Sequence, residues 1–137
     1  MSNSFPQKRQ FEDLQIEFYR IKNEKLAKIY ELFVKNAAKA KPATIHKSNF
    51  ETEEDYNNAV NSSELLAILD VIGDEKMDKA RELFFKNMNI EGIGNVDSKL
   101  EDILEIDLGY SLQLFILAIE VYLGKYLNKL GEKPSIS

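Results

Sequence analysis

Residues 110–130 constrain the fold more than any other segment. In the run Tyr110-Ser-Leu-Gln-Leu-Phe-Ile-Leu-Ala-Ile-Glu-Val-Tyr-Leu123, a helical winding points apolar side chains in nearly every direction. Such a helix has no solvent face of its own, so other elements must surround it. Gln113 and Glu120 interrupt the run, and no apolar stretch reaches the roughly 18–20 residues that a membrane span requires. The segment therefore reads as the centre of a core. Gly124 and Ala118 let a neighbouring backbone approach, and Gly131 ends the helix.

The other long segment is N-terminal. Residues 8–41 contain no proline or glycine, and Phe11, Leu14, Phe18 and Ile21 recur at 3-4-3 spacing. Leu26, Ile29, Tyr30, Phe33, Ala37 and Ala40 continue the face. This spacing predicts one amphipathic helix of about 45–50 Å at 1.5 Å per residue. Pro42 stops it, because the residue before proline avoids the helical region.

Shorter helices are expected between these two. Ser48-Asn-Phe-Glu51 fits a capping box ahead of a helix over 50–60. Asn61-Ser-Ser punctuates the chain, since these side chains compete for backbone hydrogen bonds. Leu65 to Ile72 form the next helix, closed by Gly73, where positive φ is cheap. Asp74 caps a helix with Met77, Ala80, Leu83 or Phe84, and Met88 inward. Ser98-Lys-Leu-Glu101 is a second capping box with Val96 as staple, and Asp107-Leu-Gly109 bends the chain. Alternation typical of strands is weak throughout. The expectation is an all-α fold: a bundle of five to six helices, the long N-terminal and apolar C-terminal helices framing the rest. A single domain spans 1–137, with 1–7 and 132–137 as flexible tails.

Composition narrows the chemistry. The chain has no cysteine and one histidine, which excludes thiol nucleophiles, thiolate metal sites and disulfides. His46 lies in a polar loop and reads as a surface residue. The net charge of −5 conceals an asymmetry. Residues 1–47 hold ten Lys/Arg against five acids, and the remaining 90 residues hold eight against eighteen. That pattern suits either charge pairing within the fold or a dimer, or a basic surface facing an anionic partner. Met1-Ser-Asn-Ser-Phe-Pro lacks the apolar region of a signal peptide, and a cytosolic location is expected.

Two constellations can carry function. Glu51-x-x-Glu54 and Glu75-x-x-Asp78 are acid pairs whose carboxylates share a helical face, and two such faces can hold Mg²⁺. The arrangement is similar to the acid signature of the all-α nucleoside triphosphate pyrophosphohydrolases, which implies a Mg²⁺-dependent nucleotide hydrolase. The same residues also suit plain helix starts, with Glu51 in a capping box and Glu75 and Asp78 in a first turn. Lys25, Lys28, Lys35 and Lys39 lie within about 80° of one another at roughly 100° per residue, a stripe able to follow phosphates or an acidic partner. Glu17, Glu24 and Glu31 partly cancel it. An EF-hand at Asn87–Ser98 fails at its twelfth position, and a helix-turn-helix around Gly73 would offer DNA an acidic recognition helix.

With no nucleophile–base pair, phosphate loop or cofactor fingerprint in view, the expected function is non-enzymatic. The chain reads as a cytosolic helical binding protein, a regulator, adaptor, inhibitor or immunity-type protein, acting on a protein partner without cofactor or metal. Nucleic-acid binding through the lysine stripe and the Mg²⁺-dependent hydrolase are the alternatives. A broad apolar face on a long N-terminal helix also leads us to expect a homodimer, with Phe11, Leu14, Phe18 and Ile21 at its interface.

Overall fold

In the computed structural model, residues 4–42 and 44–131 are described. They form β1 (Gln7–Phe11), β2 (Leu14–Phe18), α1 (Asn23–Ala37), α2 (Glu53–Ile72), α3 (Asp74–Lys86), β3 (Met88–Ile90), β4 (Gly94–Asn95), α4 (Leu100–Ile106) and α5 (Tyr110–Gly131). The fold is mixed α/β and not an all-α bundle: five helices accompany a four-stranded antiparallel sheet in the order β1-β2-β3-β4. The long N-terminal helix is replaced by a β-hairpin followed by a 15-residue helix. The chain divides into two compact units, Met1–Tyr30 with Asp78–Ser137, and Glu31–Met77.

The first unit is built on the sheet. Leu14-Gln-Ile-Glu-Phe18 alternates apolar and polar residues, so a strand places Leu14, Ile16 and Phe18 on one face. Register carries that face across the sheet: Ile16 pairs with Ile90, and Phe18 with Met88. All four side chains are fully buried. The opposite face carries Lys8, Gln10, Gln15, Glu17, Asn89 and Asn95. One covered and one wet face is the usual economy of an antiparallel sheet.

The buried face packs on α5, which is not enclosed all round as its apolar run suggests: Leu112, Gln113, Glu120, Lys125 and Tyr126 are exposed. Leu114, Phe115, Ala118, Ile119, Tyr122 and Leu123 are buried. Tyr122 is the hub: its ring lies parallel to Phe84 at 5.3 Å between centroids and edge-on to Phe18 at 5.9 Å. Its hydroxyl donates to the carbonyl oxygen of Tyr19, tying α5 to the end of β2. Burial pushes the Tyr122 hydroxyl pKa up. Each buried side chain of this size contributes roughly 1.5–3 kcal/mol.

The N-terminal apolar residues therefore serve a different purpose from that expected. Phe18 and Ile21 are buried within the protomer, and Phe11 and Leu14 are half-buried on the hairpin. They form no exposed helical stripe, and the premise of a long-helix interface goes with it. Within the expected N-terminal tail, Phe5 stacks on Tyr122 at 5.4 Å and Gln7 pairs with Phe18 as the first residue of β1. Residues 1–3 and the expected 132–137 tail lie outside the described residues.

The second unit holds the end of α1, a 3₁₀ turn at Lys47–Asn49, α2 and the start of α3. The expected break at Asn61-Ser-Ser does not occur, and α2 runs unbroken for 20 residues. Its N-cap is Thr52, whose hydroxyl oxygen accepts from Asp55 N–H at 3.0 Å, in place of a Ser48–Glu51 box. Gly73 ends α2 at φ 90°, donating its N–H to Leu69. α3 starts at the next residue, so Asp74 is its first helical residue rather than a preceding cap.

Candidate functional site

The site is the corner between α4 and α5, in the first unit. α4 stops because Asp107 turns extended, at φ −161° and ψ 123°. Its carboxylate oxygen Oδ1 accepts from Gly109 N–H at 2.7 Å, and its carbonyl accepts from Tyr110 N–H at 3.1 Å. This side-chain-to-backbone turn lets α5 begin immediately. A Cβ at position 109 would lie 3.1 Å from both Asp107 Oδ1 and Gln113 Nε2, so a larger residue there requires those side chains to shift by a few tenths of an ångström. The two helices leave the corner at 111°.

The corner sorts its side chains sharply. Ile103 and Tyr110 turn inward and are buried. Ile106, Leu108 and Leu112 turn outward, 54%, 84% and 48% exposed. Three large aliphatic side chains within seven positions thus stand in water on a hydrogen-bonded turn. Isolated exposed apolar residues are ordinary, but a group of them rimmed by charge marks an interaction surface.

The hairpin tip reaches the corner at Tyr110. Tyr110 Oη donates to Glu12 Oε2 at 2.6 Å, and the Phe11 ring lies edge-on to Tyr110 at 5.4 Å. Gln10 Nε2 donates to the Glu12 carbonyl at 2.8 Å. Glu12 is the first residue of the two-residue hairpin turn and sits at φ 54°, a left-handed conformation that costs a non-glycine residue about 1–2 kcal/mol. The Tyr110 hydroxyl faces Glu12, with Asp13 and Asp107 also acting on it. Its pKa is pushed up to about 12, first by the hydrogen bond to Glu12, then by burial and the three carboxylate charges.

A pH dependence follows. The folded state holds the Tyr110 proton more tightly than the unfolded chain, whose tyrosine titrates near 10. The stabilisation is complete below pH 10 and is lost as pH rises toward 12. Urea titrations at pH 8, 10 and 11 will show Tyr110→Phe losing less stability with rising pH than the wild type. Identical slopes would contradict the Tyr110–Glu12 bond.

The residues singled out from sequence fall elsewhere. Lys25, Lys28 and Lys35 are exposed on α1, and Lys39 lies beyond its end, also exposed. Glu24 and Glu31 are exposed on the same helix. Glu51, Glu54, Glu75 and Asp78 are exposed, and Asp78 pairs with Arg81 at 2.8 Å. Among the described residues no group of three or more His, Asp or Glu is placed to hold a metal ion. His46 and Glu120 are exposed, while of the α5 aromatics Tyr110, Phe115 and Tyr122 are buried. Tyr126 is exposed beside Tyr30 at 5.9 Å.

In the second unit an open depression is lined by Pro42, Ile45, Tyr56, Val60, Ser63 and Glu64. The Glu64 carboxylate and the Tyr56 and Ser63 hydroxyls are the only side-chain polar groups of that lining available to orient a ligand. Among the described residues, no single helix is long and apolar enough to cross a membrane.

Sequence reasoning found the bend at Asp107–Gly109 and missed its consequence. A leucine between an aspartate and a glycine in a tight bend belongs to neither helix face, and that placement was the available signal for Leu108. No family model, curated protein or solved structure matches the chain.

Proposed function

We propose that this is a non-enzymatic binding protein whose partner docks on the α4–α5 corner. The exposure of Leu108, on a turn fixed by its own hydrogen bonds, carries this reading. Burying such a side chain contributes roughly 1.5–3 kcal/mol to association. A preformed corner also loses little conformational freedom on binding. The absence of cysteine and the single histidine accord with work done by a surface.

The test begins with the tagged chain, used to capture proteins from its source cells. Each captured protein is then purified and titrated calorimetrically against wild type, Leu108→Ser and Leu66→Ser. Leu66 is exposed on α2 in the other unit and serves as the control. Leu108→Ser will weaken binding at least tenfold. Its unfolding free energy will stay within about 0.5 kcal/mol of wild type, as for other exposed positions. Leu66→Ser will bind as wild type does. Equal affinity of wild type and Leu108→Ser would overturn the proposal.

A further inference from the structure

The charge around the corner specifies the partner's chemistry. Between positions 91 and 109 the chain carries Glu91, Asp97, Glu101, Asp102, Glu105 and Asp107 against Lys99 alone. Asp102 lies one turn before Ile106 on the same face of α4, and Glu105 is adjacent to it. Glu101, Asp102, Glu105 and Asp107 are all exposed. Through Glu12 and Tyr110, the hairpin tip brings Glu12 and Asp13 to the same place. The aliphatic stem of Lys99 packs toward Gly94, with its Cγ 3.4 Å from where a Cβ on that glycine would stand.

These acids are not neutralised within the fold. The ion pairs among the described residues are Lys47–Glu53, Asp78–Arg81 and Glu82–Lys86. None involves Glu12, Asp13, Glu101, Asp102, Glu105 or Asp107. Glu101, Asp102, Glu105 and Asp107 interleave in sequence with the exposed Ile106 and Leu108, Glu12 reaches the same corner through Tyr110, and none of these carboxylates is in an ion pair among the described residues. A surface of this kind repels nucleic acid and anionic lipid, and it attracts a basic protein segment over about 10 Å at 0.1 M salt. Like charge held together also costs stability, and a cationic partner relieves that cost.

We infer that the corner receives a cationic, amphipathic protein segment, with large apolar side chains seated on Ile106, Leu108 and Leu112 and flanking Lys or Arg facing Asp102, Glu105 and the hairpin tip. This rests on the corner being the binding surface and adds the charge and shape of what binds there. Electrostatic steering sets the encounter rate, and the leucines supply the affinity.

The probes are two synthetic helical peptides, one of Lys and Leu and one of Glu and Leu, titrated into the full-length protein and followed by backbone amide chemical shifts. The Lys/Leu peptide will shift amides at 11–13 and 102–112, and raising the salt from 50 to 300 mM will weaken it at least threefold. The doubly reversed variant Asp102→Lys with Glu105→Lys will bind it at least tenfold more weakly, and Leu108→Ser likewise. The Glu/Leu peptide will not bind. If both peptides bind at 102–112 and charge reversal changes nothing, the surface stands and the cationic partner is wrong. If Leu108→Ser leaves Lys/Leu binding intact while charge reversal abolishes it, acidity alone attracts and the leucine surface itself is wrong. Self-association in sedimentation that Leu108→Ser dissolves would make a second copy the occupant and overturn the inference.

Discussion

Tyr122→Ala will lower the unfolding free energy by about 3–5 kcal/mol, the range for removing a large buried aromatic. The side chain is 5% exposed and touches three rings: Phe5, Phe18 and Phe84. It thereby joins the N-terminal segment, the sheet and α3 to α5. Loss of the ring leaves a cavity at the junction of elements that cannot all collapse into it. Tyr122→Phe separates the two contributions, because the ring remains while the Tyr19 carbonyl loses the hydroxyl that donates to it. That variant will lose about 1–2 kcal/mol. Urea unfolding of both variants checks the order, and a Tyr122→Ala cost below about 1 kcal/mol would contradict the hub. A domain of this size has only about 5–15 kcal/mol in total, so the alanine variant will be partly unfolded at 37 °C if the wild type lies at the low end.

The second large effect distinguishes a hairpin from a helix at the N-terminus. Ile16→Ala will cost about 2–4 kcal/mol, since Ile16 is fully buried against Ile90 in the sheet. Lys8→Ala, on the wet face of the edge strand, will cost under about 0.5 kcal/mol. A helix over 8–41 inverts the weight given to Ile16, because its apolar face runs through Phe11, Leu14, Phe18 and Ile21 and leaves Ile16 to one side. Denaturant midpoints for the two alanine variants decide it. Matching midpoints would contradict the strand register.

The same residues show why the N-terminal half was misread. Leu14 and Phe18 are four apart, a spacing that fits both a helical turn and every second residue of a strand. Ile16 between them breaks the tie in favour of a strand, but its signal is only one residue deep. The turn between β1 and β2 is Glu12-Asp13, without the glycine or asparagine that usually announces a two-residue hairpin. Glu12 takes the positive φ that the first residue of such a two-residue turn requires, and Tyr110, 98 residues away, donates a hydrogen bond to its carboxylate. Local sequence carries no trace of that bond. β3 and β4 are three and two residues long, too short for a periodic signal; β3 exists through pairing with β2 across about seventy residues, and β4 through pairing with β3.

Local chemistry decides the structure at three places. The apolar segment 110–130 is α5, Gly73 adopts the positive φ expected of it, and the chain bends at Asp107–Gly109. At Asn61-Ser-Ser the expected break is absent. Asn61 and Ser62 are exposed on α2, where their side chains meet water and do not compete for the backbone. The excess of acids after residue 47 was legible as charge asymmetry, but Glu12 and Asp13 belong to the basic N-terminal stretch and reach the corner only through the Tyr110–Glu12 contact.

Hydrogen exchange on the chain bound to its captured partner tests the central claim most directly. The account predicts slowed exchange at residues 106–113 and at Glu12 and Asp13, with α1 unchanged. Protection centred on Lys25, Lys28 and Lys35, with none at the corner, would contradict it.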